Sequence, residues 1–169
     1  MNDYPSWGCY PRAVPSAVAR LHWRDRASDL GGYEGPVLPR GLGRSYGDSC
    51  LNDRGVLLDC VTLDRFLAID EEAGTVTCEA GVSLAELQRM LIPRGYFLPV
   101  IPGTKYVTVA GAIANDIHGK NHHLEGTFGR HVVRFELVRS DGSRRVCSAS
   151  EHPELFAATI GGLGLTGFI

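Results

Sequence analysis

Apolar and polar positions alternate in short blocks along this chain, and the period of the alternation changes several times. Across residues 14–30, Val14, Val18, Leu21 and Trp23 recur near helical spacing among many charges, which predicts a helix started by Ser16 and ended by Gly31-Gly32. Residues 36–39 and 55–60 are apolar enough for two short strands, and residues 66–70 and 75–80 predict a strand pair across a turn at 71–74. Ser83 and Glu86 have the S-x-x-E spacing of a capping box. Leu84, Leu87, Met90 and Leu91 then share one helical face, which stops near Pro93-Arg94-Gly95. Residues 96–101 read as a strand. Later, residues 131–138 alternate as a half-buried strand, Asp141-Gly142 turns the chain into a return strand at 143–147, and residues 151–160 form a short helix.

Between these blocks lies a stretch of a different kind. Pro102-Gly103 signals a turn, Thr108 is a good N-cap, and Val109, Ala110, Gly111, Ala112, Ile113 and Ala114 predict a helix almost without side-chain bulk. Such a helix lets another group approach its backbone. Its N-terminus offers unpaired N–H groups and a partial positive charge, which suits a phosphate. Beyond it, Asn115 and Asp116 lead into His118, Lys120, Asn121, His122 and His123. Two readings stay open for this stretch: a backbone-lined anion or cofactor site with titratable groups at its far end, or a tightly packed helix followed by an exposed basic loop.

Composition narrows the field. The 169 residues suffice for one domain with a real core or two small lobes, and 44% hydrophobic with 21% charged residues is ordinary for a globular protein. A formal net charge of -2 argues against general affinity for nucleic acid or an anionic membrane. The 21 glycines are the outlier; they cluster at 41–47, 103–129 and 161–167, where backbone must turn tightly or approach something closely. The five cysteines (Cys9, Cys50, Cys60, Cys78 and Cys147) form no C-x-x-C pair, so reduced thiols are expected rather than disulfides or a metal centre. No signal peptide and no membrane-spanning run are visible, which points to a cytoplasmic setting.

One glycine cluster follows directly on a predicted strand. In Pro39-Arg40-Gly41-Leu42-Gly43-Arg44-Ser45-Tyr46-Gly47-Asp48-Ser49, successive backbone N–H groups can form a nest for phosphate oxygens, with Arg40 and Arg44 adding charge. The third glycine comes a residue late for G-x-G-x-x-G, no long helix follows, and no Gly-Lys-Ser/Thr makes it a P-loop. A glycine-rich hairpin corner is the alternative. At the other end, Gly161-Gly162-Leu163-Gly164-Leu165-Thr166-Gly167-Phe168-Ile169 reads as a glycine turn entering a strand that stops where it begins. This is the pattern expected of the N-terminal part of a longer protein.

In this order and spacing, the Arg40–Asp48 loop, Pro102-Gly103-Thr104 with the helix running to His118, and the Gly161–Gly167 segment resemble the FAD-binding domain of vanillyl-alcohol-oxidase-type (PCMH-type) FAD-linked oxidases. The run Asp116-Ile117-His118-Gly119-Lys120-Asn121-His122-His123, with Phe128-Gly129-Arg130-His131-Val132, is most similar to the branch of that family that oxidises decaprenylphosphoryl-ribose for cell-wall arabinan. The resemblance covers roughly 36–169 and implies an α+β fold in which two small α/β lobes clasp FAD. Residues 1–35 would then be an N-terminal arm and helix, and the substrate domain would lie beyond position 169. It further implies cofactor contacts from Pro39, Arg40, Gly41, Leu42, Gly43, Arg44, Ser45, Tyr46, Gly47, Asp48 and Ser49 around the pyrophosphate. Gly103, Thr108, Val109, Ala110, Gly111, Asn115, Asp116, Ile117 and His118 would run along the flavin, and Ile169 would sit on the adenosine side. His118 and Lys120 would face the substrate as catalytic groups, with no metal. The activity implied is hydride transfer from a secondary alcohol of a sugar to flavin, with an alditol or aldonolactone oxidase, or a non-catalytic flavin-binding fragment, as alternatives. The implied partners are a lipid-linked or small-molecule sugar and a reductase that completes an epimerisation, near the inner membrane face. Many relatives attach flavin to a histidine of the first loop; here that position is Arg44, so FAD is expected to be held without a covalent bond.

Overall fold

A computed structural model describes residues 4–24, 26 and 32–169. The fold is α+β, with short strands in three small sheets and helices between them. The first sheet holds β1 (Ala17–Arg20), β2 (Val37–Arg40) and β3 (Val56–Asp59) in the order β1-β3-β2, all parallel. Val56 pairs with Ala17 on one side and Val37 on the other. The central strand β3 is buried along its whole length, which explains its unbroken Val-Leu-Leu run. This sheet overturns the helix expected at 14–30. The i, i+4, i+7 spacing of Val14, Val18 and Leu21 is real, but the ladder to β3 wins, and Leu21 is buried beside Leu58, Cys60 and Leu63. Residues 25 and 27–30 of that expectation lie outside the described residues.

β4 (Phe66–Asp70) and β5 (Thr75–Cys78) form the expected antiparallel pair. The chain then enters α1 (Leu84–Leu91) through the capping box: Ser83 Oγ accepts from the Glu86 N–H at 3.2 Å, and the Glu86 carboxylate accepts from the Ser83 N–H at 2.8 Å. A 3-10 turn, Ile92–Arg94, ends at Gly95 in the left-handed region. Residues 96–101 do not form the expected strand; they run as irregular chain with Val100 fully buried. Pro99 and Pro102 cannot donate to a ladder. Instead Asn121 Nδ2 donates to the Pro99 carbonyl at 2.9 Å, and a Cβ on Gly119 would stand 2.7 Å from the Ile101 carbonyl oxygen. Gly119 is therefore glycine because these two segments touch.

α2 (Val109–Ala114) follows, capped by Thr108, whose Oγ1 accepts from the Gly111 N–H at 3.1 Å. A short helical turn α3 (His122–Glu125) and a 3-10 turn (Phe128–His131) precede β6 (Arg134–Val138), which pairs antiparallel with β7 (Arg144–Ser148) across the Asp141-Gly142 turn. The expected strand at 131–138 thus starts at Arg134, its first residues being taken up by the 3-10 turn. α4 (Pro153–Thr159) stacks Phe156 on Phe135 with ring centroids 5.2 Å apart. The glycine segment at 161–167 then brings Phe168 to a two-bond bridge with Val138.

Three apolar clusters hold these parts. Leu21, Leu58, Leu63, Val138 and Phe168 join the parallel sheet to β6 and the end of the chain. Val82, Leu84, Leu87 and Leu91 hold α1. Ile113, Phe135, Leu137 and Cys147 hold α2 against the β6–β7 hairpin. Val109 touches both of the last two clusters, so α2 is the shared wall. Its opposite face, Ala110, Gly111 and Ala114, is left to a cavity.

Candidate functional site

The cavity has a volume of about 680 Å³, within the range of cofactor clefts. Of the expected site residues, Pro39 through Tyr46 line it, with Ser49, Gly103, Thr108, Ala110, Gly111, Asn115, Ile117 and Ile169. Gly47, Asp48, Val109, Asp116, His118 and Lys120 are not part of its wall. The Asp116 carboxylate is engaged elsewhere: the backbone turns at φ 41°, and Oδ1 accepts from the Gly129 N–H at 2.9 Å. His118 follows the wall residue Ile117 but is exposed, bridges to Thr127, and meets His122 edge-on with centroids 5.5 Å apart. Lys120 is exposed and makes no hydrogen bond or ion pair among the described residues.

The wall also contains residues that the sequence did not single out as site residues: Trp7, Cys50, Cys60, Ala80, Pro102, Thr104, Val107, Ala114, Leu163, Gly164, Gly167 and Phe168. The glycines of 161–167 were the readable signal for the last four. Nothing in the pattern around Trp7 or Ala80 marks them, because the fold brings both in from separate segments.

The two glycine-rich walls differ in how their amides are used. The first turn of α2 has no open N–H group. Val109 donates to the Val82 carbonyl at 2.8 Å, Ala110 to the Ala80 carbonyl at 3.1 Å, and Gly111 to Thr108 Oγ1. The unpaired N–H groups expected at this helix end are therefore not there; a neighbouring segment closes them. Residues 42–47 behave in the opposite way, since none of their backbone N–H groups donates to an acceptor among the described residues. Gly43 and Gly47 stand at φ 64° and 62°, in the left-handed region that glycine adopts without steric cost. Gly41 packs so closely on Thr108 that a Cβ would collide with its hydroxyl.

Charge follows the same division. Arg40 is buried at 9% exposure, yet it forms no ion pair with a carboxylate among the described residues. Nη2 donates to the Pro5 carbonyl at 2.7 Å, Nη1 reaches the Gly41 carbonyl at 3.4 Å, and buried Nε has no partner. A buried cation with an unpaired donor is costly unless an anion completes it. Open amides, positive φ glycines and this guanidinium fit a diphosphate. The small wall of α2 fits a flat ring system beside it.

One thiol of the wall, Cys60, is held protonated. Cys60 is pushed up to about 12, chiefly by burial, and its Sγ donates to the Leu58 carbonyl at 3.1 Å, so it stays protonated. Outside the wall, burial also raises Cys78 to about 11.

Comparison with known proteins agrees with this chemistry. Residues 28–148 match the family model described as FAD binding domain. The chain is 48% identical over 96% of its length to decaprenylphosphoryl-beta-D-ribose oxidase of Mycolicibacterium smegmatis, and 33% identical over 99% of its length to L-gulonolactone oxidase of Mus musculus. It spans 36% and 38% of the length of these relatives. With the family model covering most of the chain, and with these relatives, the chain belongs to the FAD-binding domain family of FAD-linked oxidases.

Proposed function

We propose that this chain is the FAD-holding part of an oxidoreductase that oxidises a secondary alcohol of a lipid-linked sugar, decaprenylphosphoryl-ribose at its 2′-hydroxyl. The observation that carries the cofactor half is the buried Arg40, with Nε unpaired and no carboxylate partner among the described residues, beside the open amides of residues 42–47. The substrate half rests on the 48% identity to a relative named for that lipid-linked sugar. In this reading two small α/β lobes clasp the cofactor. Residues 39–49 hold the pyrophosphate, the Ala110, Gly111 and Ala114 face of α2 lies along the flavin, and Ile169 borders the adenosine end.

When bound, FAD supplies the hydride acceptor for oxidation of the alcohol to a ketone. The chain contributes orientation and charge. Lys120, exposed and without a partner among the described residues, is free to turn its ammonium toward a developing alkoxide or a substrate phosphate. His118 lies next to it past the end of α2 and accepts the hydroxyl proton or holds it in place. The cofactor is held without a covalent bond. The wall offers no histidine; its thiols are Cys50 and Cys60, and Cys60 is too protonated to act as a nucleophile. The parent works with a reductase that completes the epimerisation, on the cytoplasmic side near the inner membrane face. No helix among the described residues is long and apolar enough to cross a membrane.

An aldonolactone oxidase is the second reading, favoured by the 33% identity to L-gulonolactone oxidase. One experiment separates the possibilities. The full-length protein is purified, its flavin spectrum recorded, and decaprenylphosphoryl-ribose or an aldonolactone added without oxygen. Loss of the oxidised flavin bands with the lipid-linked sugar is expected, and that loss slows in Lys120→Ala with FAD still bound. Bleaching by the lactone alone supports the second reading, and a stable flavin spectrum with both supports a non-catalytic module. Acid denaturation of the same sample is expected to release all yellow colour into the supernatant.

A further inference from the structure

The segment ahead of the first strand is tied to the glycine loop at several points. The Tyr4 hydroxyl donates to Asp59 Oδ2 at 2.8 Å, and the Arg40 guanidinium lies over the Tyr4 ring at 4.9 Å. Arg40 Nη2 is held by the Pro5 carbonyl, Ser6 is buried, and the Trp7 N–H donates to the Ser45 carbonyl at 3.1 Å. The fit is close enough that a Cβ on Gly43 would stand 3.1 Å from the Pro5 carbonyl oxygen. Beyond these anchors the Trp7 indole reaches the cavity wall, where the Arg44 guanidinium stacks on it at 5.4 Å. Trp7 remains 55% exposed although its backbone is fixed. An aromatic ring held in place, half open, beside a cation and a diphosphate nest is a surface for a planar anionic ligand.

We infer that Trp7 is a ligand-contacting residue of the cofactor site and that residues 4–6 position it together with Arg40. This rests on the flavin reading and extends the site to a segment that it did not include. The segment acts in two ways. From below, Tyr4 and Pro5 hold the Arg40 guanidinium beneath the loop. From the side, Trp7 with Arg44 covers the rim of the bound FAD and slows its escape.

The test is FAD titration of the full-length apoprotein and its Trp7→Ala and Trp7→Phe variants, read by flavin anisotropy, with the thermal midpoint of each FAD-free protein measured alongside. Trp7→Ala is expected to weaken FAD about tenfold or more, mostly through faster release, from the loss of an aromatic and cation–π contact. Trp7→Phe, which keeps an aromatic face, recovers most of the affinity, and the FAD-free midpoints of all three stay together. In a protein whose remaining tryptophans are replaced by Phe, acrylamide quenching of Trp7 falls when FAD saturates the site. Unchanged affinity in Trp7→Ala, or an affinity loss matched by a fall in the FAD-free midpoint, overturns this inference while leaving the flavin reading intact. A wild-type protein that takes up no FAD overturns the flavin reading and this inference with it.

Discussion

The glycine-rich loop at residues 42–46 and the small-residue helix α2 line the same cavity, and they differ in what their amides already hold. The α2 amides are bonded to Val82, Ala80 and Thr108. To bind a phosphate, that turn would have to give up these bonds and strand the Val82 and Ala80 carbonyls, at about 1–3 kcal/mol for a group left unsatisfied away from water. The loop has nothing to give up. Its glycines hold the strained turn before any ligand arrives, and Arg40 brings a charge that lacks a carboxylate partner among the described residues. Helical form and a good N-cap therefore do not make an anion site. Open amides are the better candidate, and under the proposed function α2 serves instead as a smooth wall for a ring.

The contrast breaks most sharply at Gly43. A Cβ there collides with the Arg40 guanidinium, crowds the Pro5 carbonyl, and forces a branched side chain to φ 64°. Gly43→Val is expected to lose FAD retention by roughly a hundredfold or more, from strain of about 1–3 kcal/mol plus a displaced Arg40, with solubility similar. Equilibrium dialysis reads the occupancy, and undiminished occupancy rules out the loop. Next comes Arg40→Leu, where the two halves of the account move apart. FAD affinity falls about ten- to hundredfold, from loss of a charge-assisted contact of roughly 1.5–3 kcal/mol. The FAD-free protein changes little in a denaturant melt, since loss of the contacts to the Pro5 carbonyl and the Tyr4 ring is offset by removal of a buried cation that lacks a carboxylate partner among the described residues.

Thr108→Val probes the other wall. Removing the cap lowers stability of the FAD-free protein by about 1 kcal/mol, while FAD affinity moves by less than about threefold. A large affinity loss with intact stability in that variant would return the phosphate to α2. The smallest effect is a control remote from the contrast. Hydrogen bonds from the Ser83 hydroxyl and backbone hold Glu86 below its ordinary carboxylate value. Its contribution is therefore full above the unfolded value of roughly 4.3 and is lost as pH falls through the lower folded value. In Ser83→Ala the acid limb of the stability curve below the unfolded value of roughly 4.3 becomes shallower, with FAD affinity at neutral pH unchanged.

What could be read from the sequence was whatever is local. The Ser83–Glu86 box, the Thr108 cap and the Asp141-Gly142 hairpin are each set by residues within a few positions, and each stands as expected. What escaped depends on distant partners. Ala17–Arg20 is a strand because Val56–Asp59 offers it an edge, against a helical spacing of its own apolar residues. Residues 96–101 read as a strand but carry Pro99 and find a side-chain partner in Asn121 instead. The closure of the α2 amides comes from carbonyls in a separate segment. Trp7 enters the wall only because Tyr4, Pro5 and Ser45 fix the arm that bears it.

Hydrogen exchange at single-amide resolution, with and without FAD, tests the division between the two walls most directly. The account predicts that the amides of residues 42–47 exchange fast in the FAD-free protein and become protected when FAD binds. Those of Val109, Ala110 and Gly111 are slow in both states. Fast exchange at Val109–Gly111 that is quenched by FAD, with residues 42–47 unchanged, would contradict it.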